Sequence, residues 1–281
     1  MSTPAGRGEA SNYFSQLFAV VLISLTQLVR PPSHARRAVA ARRLARHVLL
    51  LTASVAAVII TLMVAVDVPE IELMPPRGTP GLWPFGILTD LGKAALVLWL
   101  LAAALSAVAI FAARWRGMAR SRLLDFGTRL QFVFFAVLVP VLFGEVIKWI
   151  AGRGRPFVGG KADAFNFVHF AGTEAYASFP SAHSITAFAL AFAVAAVWPR
   201  ARAPMIVYAI LIGASRLVLL AHHPSDVVAG ALVGVVGAMS VRYWFAARRL
   251  GFAIHSDGAI VPLGEPVSGR RKRVARGAPA P

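Results

Sequence analysis

Six apolar stretches, nearly free of charge, recur along the chain at residues 48–66, 94–113, 131–150, 183–198, 205–220 and 227–245. At ~1.5 Å of rise per residue, such lengths suit helices crossing the ~30 Å hydrocarbon core of a bilayer. Pro140 falls inside the third stretch, where it predicts a kink. Gly230, Gly234 and Gly237 give the sixth a small-residue face for close helix packing. A further stretch, residues 10–29, carries no charge but is interrupted by Ser15, Gln16, Ser24, Thr26 and Gln27 and ends at Arg30-Pro31-Pro32. It reads as an interfacial helix, with a seventh span as the alternative. Its start is weakly charged and lacks a small-residue cleavage site, so it does not read as a cleavable signal.

Arginine is distributed unevenly between the stretches. The run 30–46, the loop 114–130, the turn 199–204 and the C-terminal tail hold nearly all of the arginine outside the polar motifs, and they alternate with the acidic, Pro/Gly-rich connection 67–93. The positive-inside rule places the arginine-rich side, with both termini, in the cytoplasm. Connections 67–93, 151–182 and 221–226 then face the external or periplasmic side of a multi-pass membrane protein. Residues 1–47 form an N-terminal interfacial and basic segment, 48–247 a six-span bundle, and 248–281 a basic tail that reads as disordered.

Composition sharpens this picture. A chain of 281 residues that is 58% hydrophobic, with mean hydropathy +0.68, is too apolar for a soluble domain. The net charge of +17 would suit nucleic acid, but its placement in blocks between apolar stretches favours anionic lipid headgroups. Without cysteine there is no disulfide, thiol nucleophile or thiolate metal site.

Three polar clusters stand at the ends of spans on the predicted outer side. Lys148 and Arg155-Pro156 enclose a stretch containing Gly152 and Gly154, which lets the chain leave its helix and bend a guanidinium back. Taken singly, both cations read as interfacial side chains reaching for headgroups, as do Arg153, Lys161 and Asp163. Pro180-Ser181-Ala182-His183 opens the fourth span, where free N–H groups and a hydroxyl suit an anion and His183 is placed to donate a proton. Alone, Ser181 would be a helix cap. Arg216 is a costly charge in an apolar span, and such residues are functional or paired. His222 and Asp226, four apart, place a carboxylate within reach of an imidazole, fixing its tautomer and leaving the other nitrogen to attack. His223 reads as incidental, and Glu145 as a structural partner of Lys148 or Arg155.

The ordered set Lys148-(six)-Arg155-Pro156, Pro180-Ser181-Ala182-His183 and Ser215-Arg216-(five)-His222-(three)-Asp226 resembles the type 2 phosphatidic acid phosphatase (PAP2) family, over about residues 48–245. The resemblance implies an all-α membrane bundle with a six-helix core and metal-independent, cofactor-free hydrolysis. It implies His222 as the nucleophile that becomes phosphohistidine, Asp226 as its orienting partner and His183 as general acid. Lys148, Arg155, Ser181, Ala182 through its backbone N–H, and Arg216 would cradle the phosphate. Ala182 departs from the glycine common at that position in the family, and its methyl group narrows the pocket. The implied partners are the membrane and a phospholipid or isoprenoid-lipid phosphate, not nucleic acid. Allowed substrates include undecaprenyl diphosphate, phosphatidylglycerol phosphate, phosphatidic acid and lipid A phosphates. A phosphotransferase of the same fold is the alternative, followed by an anion transporter. The transporter lacks support from midplane charges or paired broken helices.

Overall fold

A computed structural model describes residues 13–255 and 259–263. Among these described residues nine α-helices follow in order: α1 (Tyr13–Val29), α2 (His34–Ala65), α3 (Asp67–Leu73), α4 (Trp83–Asp90), α5 (Ala94–Arg114), α6 (Gly117–Ala151), α7 (Ala182–Val197), α8 (Arg202–Val218) and α9 (Pro224–Arg248). Five helical stretches are long and apolar enough to cross a membrane, and they contain α2, α5, α6, α8 and α9. The sixth helix of the predicted core, α7, is apolar but has 16 residues.

α7 lies at the centre of the bundle, packed between α6, α8 and α9. Alanines at 187, 189, 191 and 193 keep it thin. The glycines of α9 explain how closely it is approached. A methyl group at Gly230 would stand 2.5 Å from the Ser181 carbonyl oxygen, and one at Gly234 equally close to that of Ile185. Gly237 makes the same kind of approach to Pro140 of α6. The predicted small-residue face therefore serves two neighbours. Around α7 the main core gathers Phe132, Val133, Val137, Ala189, Ala193 and Phe245.

Helix limits exceed the apolar stretches. α2 starts at His34 and α6 at Gly117, each more than ten residues before the corresponding span. Arginine is a good helix former, so the basic runs extend the helices beyond the hydrocarbon. Hydropathy marks the bilayer and not the helix end. α1 packs on α5; Tyr13 donates to the Ile110 carbonyl, and Trp244 of α9 donates to that of Leu28.

The tail departs from expectation. Phe252–Ile254 (β1) pairs antiparallel with Ile260–Pro262 (β2), with Ala253 opposite Val261. Buried Phe252 packs edge-on against Phe132, so residues just past α9 have an apolar anchor that outweighs their polar neighbours. Residues 1–12 and the basic cluster 270–273 lie outside the described residues.

Candidate functional site

α6 and α8 end where α7 and α9 begin, so the three clusters meet at one end of the bundle. The loop after α6 is shaped by Gly152, which has φ 56°. A side chain there would collide with the Val168 carbonyl. The returning strand of loop accepts and donates in turn: Val168 N–H to the Gly152 carbonyl at 2.7 Å, Gly154 N–H to Asn166 at 2.8 Å, and Ser178 N–H to Arg153 at 3.0 Å. Ser181 N–H then bonds the Asp226 carbonyl at 3.0 Å, joining the entry of α7 to that of α9.

His222 is almost enclosed. Its Nδ1 lies 2.8 Å from the Ser178 carbonyl oxygen. A carbonyl can only accept, so Nδ1 carries the proton and Nε2 presents a lone pair. The expected contact with Asp226 is not made, because 3.7 Å separates Nδ1 from Oδ2, beyond hydrogen-bond range. Asp226 is instead the third residue of α9 and completes a capping box with His223. Its Oδ2 accepts from the His223 N–H at 2.9 Å, from the Ser178 hydroxyl at 2.6 Å and from His223 Nδ1 at 3.1 Å. His223 is thus a fixed structural element and not incidental. Asp226 steadies His222 indirectly, through Ser178. His222 keeps 3% of its surface exposed and His223 none, so His222 is the imidazole that a ligand can reach.

Beneath this pair lies a cation that the spacing of the motifs does not reveal. Arg153 is wholly buried. It donates to Asp226 Oδ1 at 2.6 Å, to Asp67 Oδ2 at 2.8 Å, to the Ser225 hydroxyl at 2.6 Å and twice to the Ala164 carbonyl. Asp67 also accepts the Ser225 N–H at 3.0 Å. A fork with five N–H donors satisfies two carboxylates in a place where one ammonium could not. Two sequence signals pointed here: an acid directly at the end of the first span, and a second arginine inside Gly152-Arg153-Gly154-Arg155. Arg77 ties the 67–93 connection to the site by donating to the carbonyls of Leu220 and Pro156.

The cation candidates for the phosphate cradle are held by separate contacts. Arg216 is buried and donates to Thr89 Oγ1 at 2.7 Å. Arg155 pairs with exposed Glu174, and Lys148 with Glu145 at 2.6 Å, the partner expected for one of these two cations. Arg155 and Arg216 both act on the charge of His222, and Arg216 and His222 on that of His183. Besides Ser184 Oγ, His223 Nε2 and both Glu70 oxygens, four buried polar atoms here lack any partner among the described residues: Arg155 Nε, Ser181 Oγ, His183 Nε2 and Arg216 Nε. Buried polar groups are rarely left so, and these belong to four of the predicted site residues. Ala182 is the first residue of α7, where backbone N–H groups have no helical acceptor. Burial, reinforced by Arg216 and Arg155, pushes the His222 imidazole below its ordinary value of 6.5 against the pull of Asp226.

Residues 129–250 match the sequence profile of the PAP2 superfamily, a range that contains every predicted site residue. This segment belongs to the PAP2 superfamily. The chain is 37% identical over 127 residues to a lipid A 1-phosphatase of Rhizobium johnstonii, covering 45% of this chain and 52% of that protein. It is 30% identical over 117 residues to the bacitracin transport permease protein BcrC of Bacillus licheniformis, covering 42% and 55%. It is 36% identical over 104 residues to the putative undecaprenyl-diphosphatase YbjG of Escherichia coli, covering 34% and 48%. The chain thus spans about half the length of the curated relatives it matches. Among solved structures, the transmembrane PAP2-type phosphatidylglycerolphosphate phosphatase of Bacillus subtilis aligns over 81% of this chain and 94% of its own, with 18% identity and a TM-score of 0.38.

Proposed function

We propose that this membrane protein is a lipid phosphate or lipid pyrophosphate phosphatase working through a phosphohistidine on His222, with its site at the periplasmic face. The observation that carries the reading is the set of unpartnered polar atoms on Arg155, Ser181, His183 and Arg216, gathered around an imidazole whose Nδ1 is already committed. A phosphomonoester is dianionic near neutral pH, and cations already in place stabilise the charge that spreads over its oxygens during transfer.

His222 Nε2 attacks phosphorus while the bond to the lipid oxygen breaks, and His183 gives that oxygen a proton. The guanidinium and hydroxyl donors hold the three equatorial oxygens, with Lys148 and the Ala182 N–H completing the cradle. The Ser178 carbonyl accepts from the imidazolium Nδ1 as positive charge develops, and Asp226 holds Ser178 in place. Water then attacks the phosphohistidine, delivering its proton to His183, and inorganic phosphate leaves with His222 restored. Relatives named for lipid A 1-phosphate and undecaprenyl diphosphate make those lipids the first substrates to assay.

The test is phosphate release from a panel of detergent-solubilised lipid phosphates by wild type and His222→Ala. Loss of release by His222→Ala, by at least about a thousandfold, is expected. Release unaffected by that substitution would refute the reading, and transfer to a second lipid without free phosphate would make the protein a phosphotransferase.

A further inference from the structure

At the end of the bundle opposite the three clusters, a cleft of about 850 Å³ opens between the start of α2, the first half of α6 and the end of α9. Five arginines line it, Arg30, Arg36, Arg129, Arg248 and Arg249, against the single carboxylate of Asp125. None of the five pairs with a carboxylate among the described residues. Arg36 is held by Ser33 at 2.8 Å. Arg248 lies 3.6 Å over the Trp244 ring, and its buried Nε has no partner among the described residues. The first turn of α2, with its free N–H groups, adds positive potential at the same place.

Beside the cleft runs an apolar groove of about 320 Å³ between α1, α5 and α6, lined by Val20, Leu105 and Leu124 among others. Gln27 and Thr128 belong to both, so the two hollows adjoin. Separately, the cleft would suit any compact anion and the groove any hydrocarbon. Together they match a molecule with an anionic head and an apolar chain.

We infer that this basic cleft and its adjoining groove form a second lipid site, which takes the phosphate of an anionic phospholipid between the arginines and one acyl chain along α1. The site is independent of the hydrolytic reading and lies about a membrane thickness from His222, since the 25 residues of α9 run between them at ~1.5 Å each. A free phosphate would satisfy the cations and leave the groove unused.

Native mass spectrometry of the full chain, released from detergent micelles titrated with dioleoyl phosphatidylglycerol or dioleoyl phosphatidylcholine, tests this. The wild type is expected to retain phosphatidylglycerol in preference to phosphatidylcholine, and millimolar inorganic phosphate should not displace it. Arg129→Gln with Arg249→Asn should weaken retention about 25-fold, or about fivefold for each guanidinium near an anionic headgroup. Asn suits position 249, which has φ 59°. Leu105→Trp, which fills the groove, should weaken it with the cleft cations intact. Arg114→Gln with Arg116→Gln, exposed cations at the same end, should not, and unfolding temperature checks that each variant is folded. Equal loss in the cleft and control pairs, or displacement by inorganic phosphate, would overturn the proposal.

Discussion

Replacing Arg153 with Met removes the charge at the base of the site while nearly keeping its volume. The side chain supplies five hydrogen bonds, and its loss leaves Asp67 and Asp226 facing each other's surroundings without a cation. Breaking a buried ion pair costs about 3–5 kcal/mol because the partner stays charged and buried. Here both acids keep other donors, Ser225 N–H for Asp67 and Ser178 with His223 for Asp226, so about 4 kcal/mol in total is expected, and not twice that. At roughly 2–4 °C per kcal/mol for a chain of this size, the unfolding temperature of the purified protein in detergent should fall by about 8–16 °C. Asp67→Asn in the same background should recover part of the loss, with a coupling of about 2 kcal/mol in the four-member cycle. Residual phosphate release by folded Arg153→Met should show a fallen kcat with little change in KM, since Arg153 touches no substrate in the proposed mechanism and works through Asp226 and Ser178. A loss below about 1 kcal/mol, or strict additivity with Asp67→Asn, would refute the reasoning.

Three further outcomes follow from the same geometry. The His222 imidazole is held below 6.5 by burial and two guanidiniums; the unprotonated form is the attacking one, so the acid limb of kcat/KM against pH should lie below the ordinary histidine range, and should move upward in Arg155→Gln. Burial, with the charge of Asp67 adding and that of His223 opposing, pushes the Glu70 carboxyl up from 4.5 to about 6. A carboxyl raised on folding costs stability once pH climbs from its unfolded value through its folded one. Glu70→Gln should therefore stabilise the protein above pH 6 by at most about 1 kcal/mol, after allowance for solvent screening, and leave it unchanged near pH 4, as thermal unfolding across pH would register. Gly234→Leu should separate α9 from α7, because even a methyl group there stands 2.5 Å from a carbonyl oxygen; a cost of at least about 3 kcal/mol is expected, against little change for Gly86→Ala, which meets open space.

The spans were legible because a bilayer imposes unbroken apolar length, and no soluble context competes with that signal. Helix ends were not, since arginine continues a helix as readily as leucine does. The three clusters were legible from their order, and the direction of the helices was enough to gather them. What sequence could not give was the division of labour around Asp226. Spacing of four suggested His222, but residue 226 is the third of its helix and residue 223 the cap, so backbone geometry assigns the carboxylate to His223 first. Arg153 and Ser178 were hidden for another reason. Their partners lie 86 and 48 residues away, and only the fold of the loop after Gly152 brings them there. Asp67 shows the limit from the other side: an acid at the end of a span is a visible anomaly, yet nothing in the local sequence names its partner.

The central claim is that phosphorus passes through one particular imidazole. Rapid quenching of the protein with a radiolabelled lipid phosphate, followed by peptide fragmentation that separates position 222 from 223, measures this directly. An acid-labile, alkali-stable phosphoryl group on His222, which disappears as inorganic phosphate forms, is the predicted result; label on His223 or on a hydroxyl, or turnover with no labelled enzyme at any time, would contradict the account.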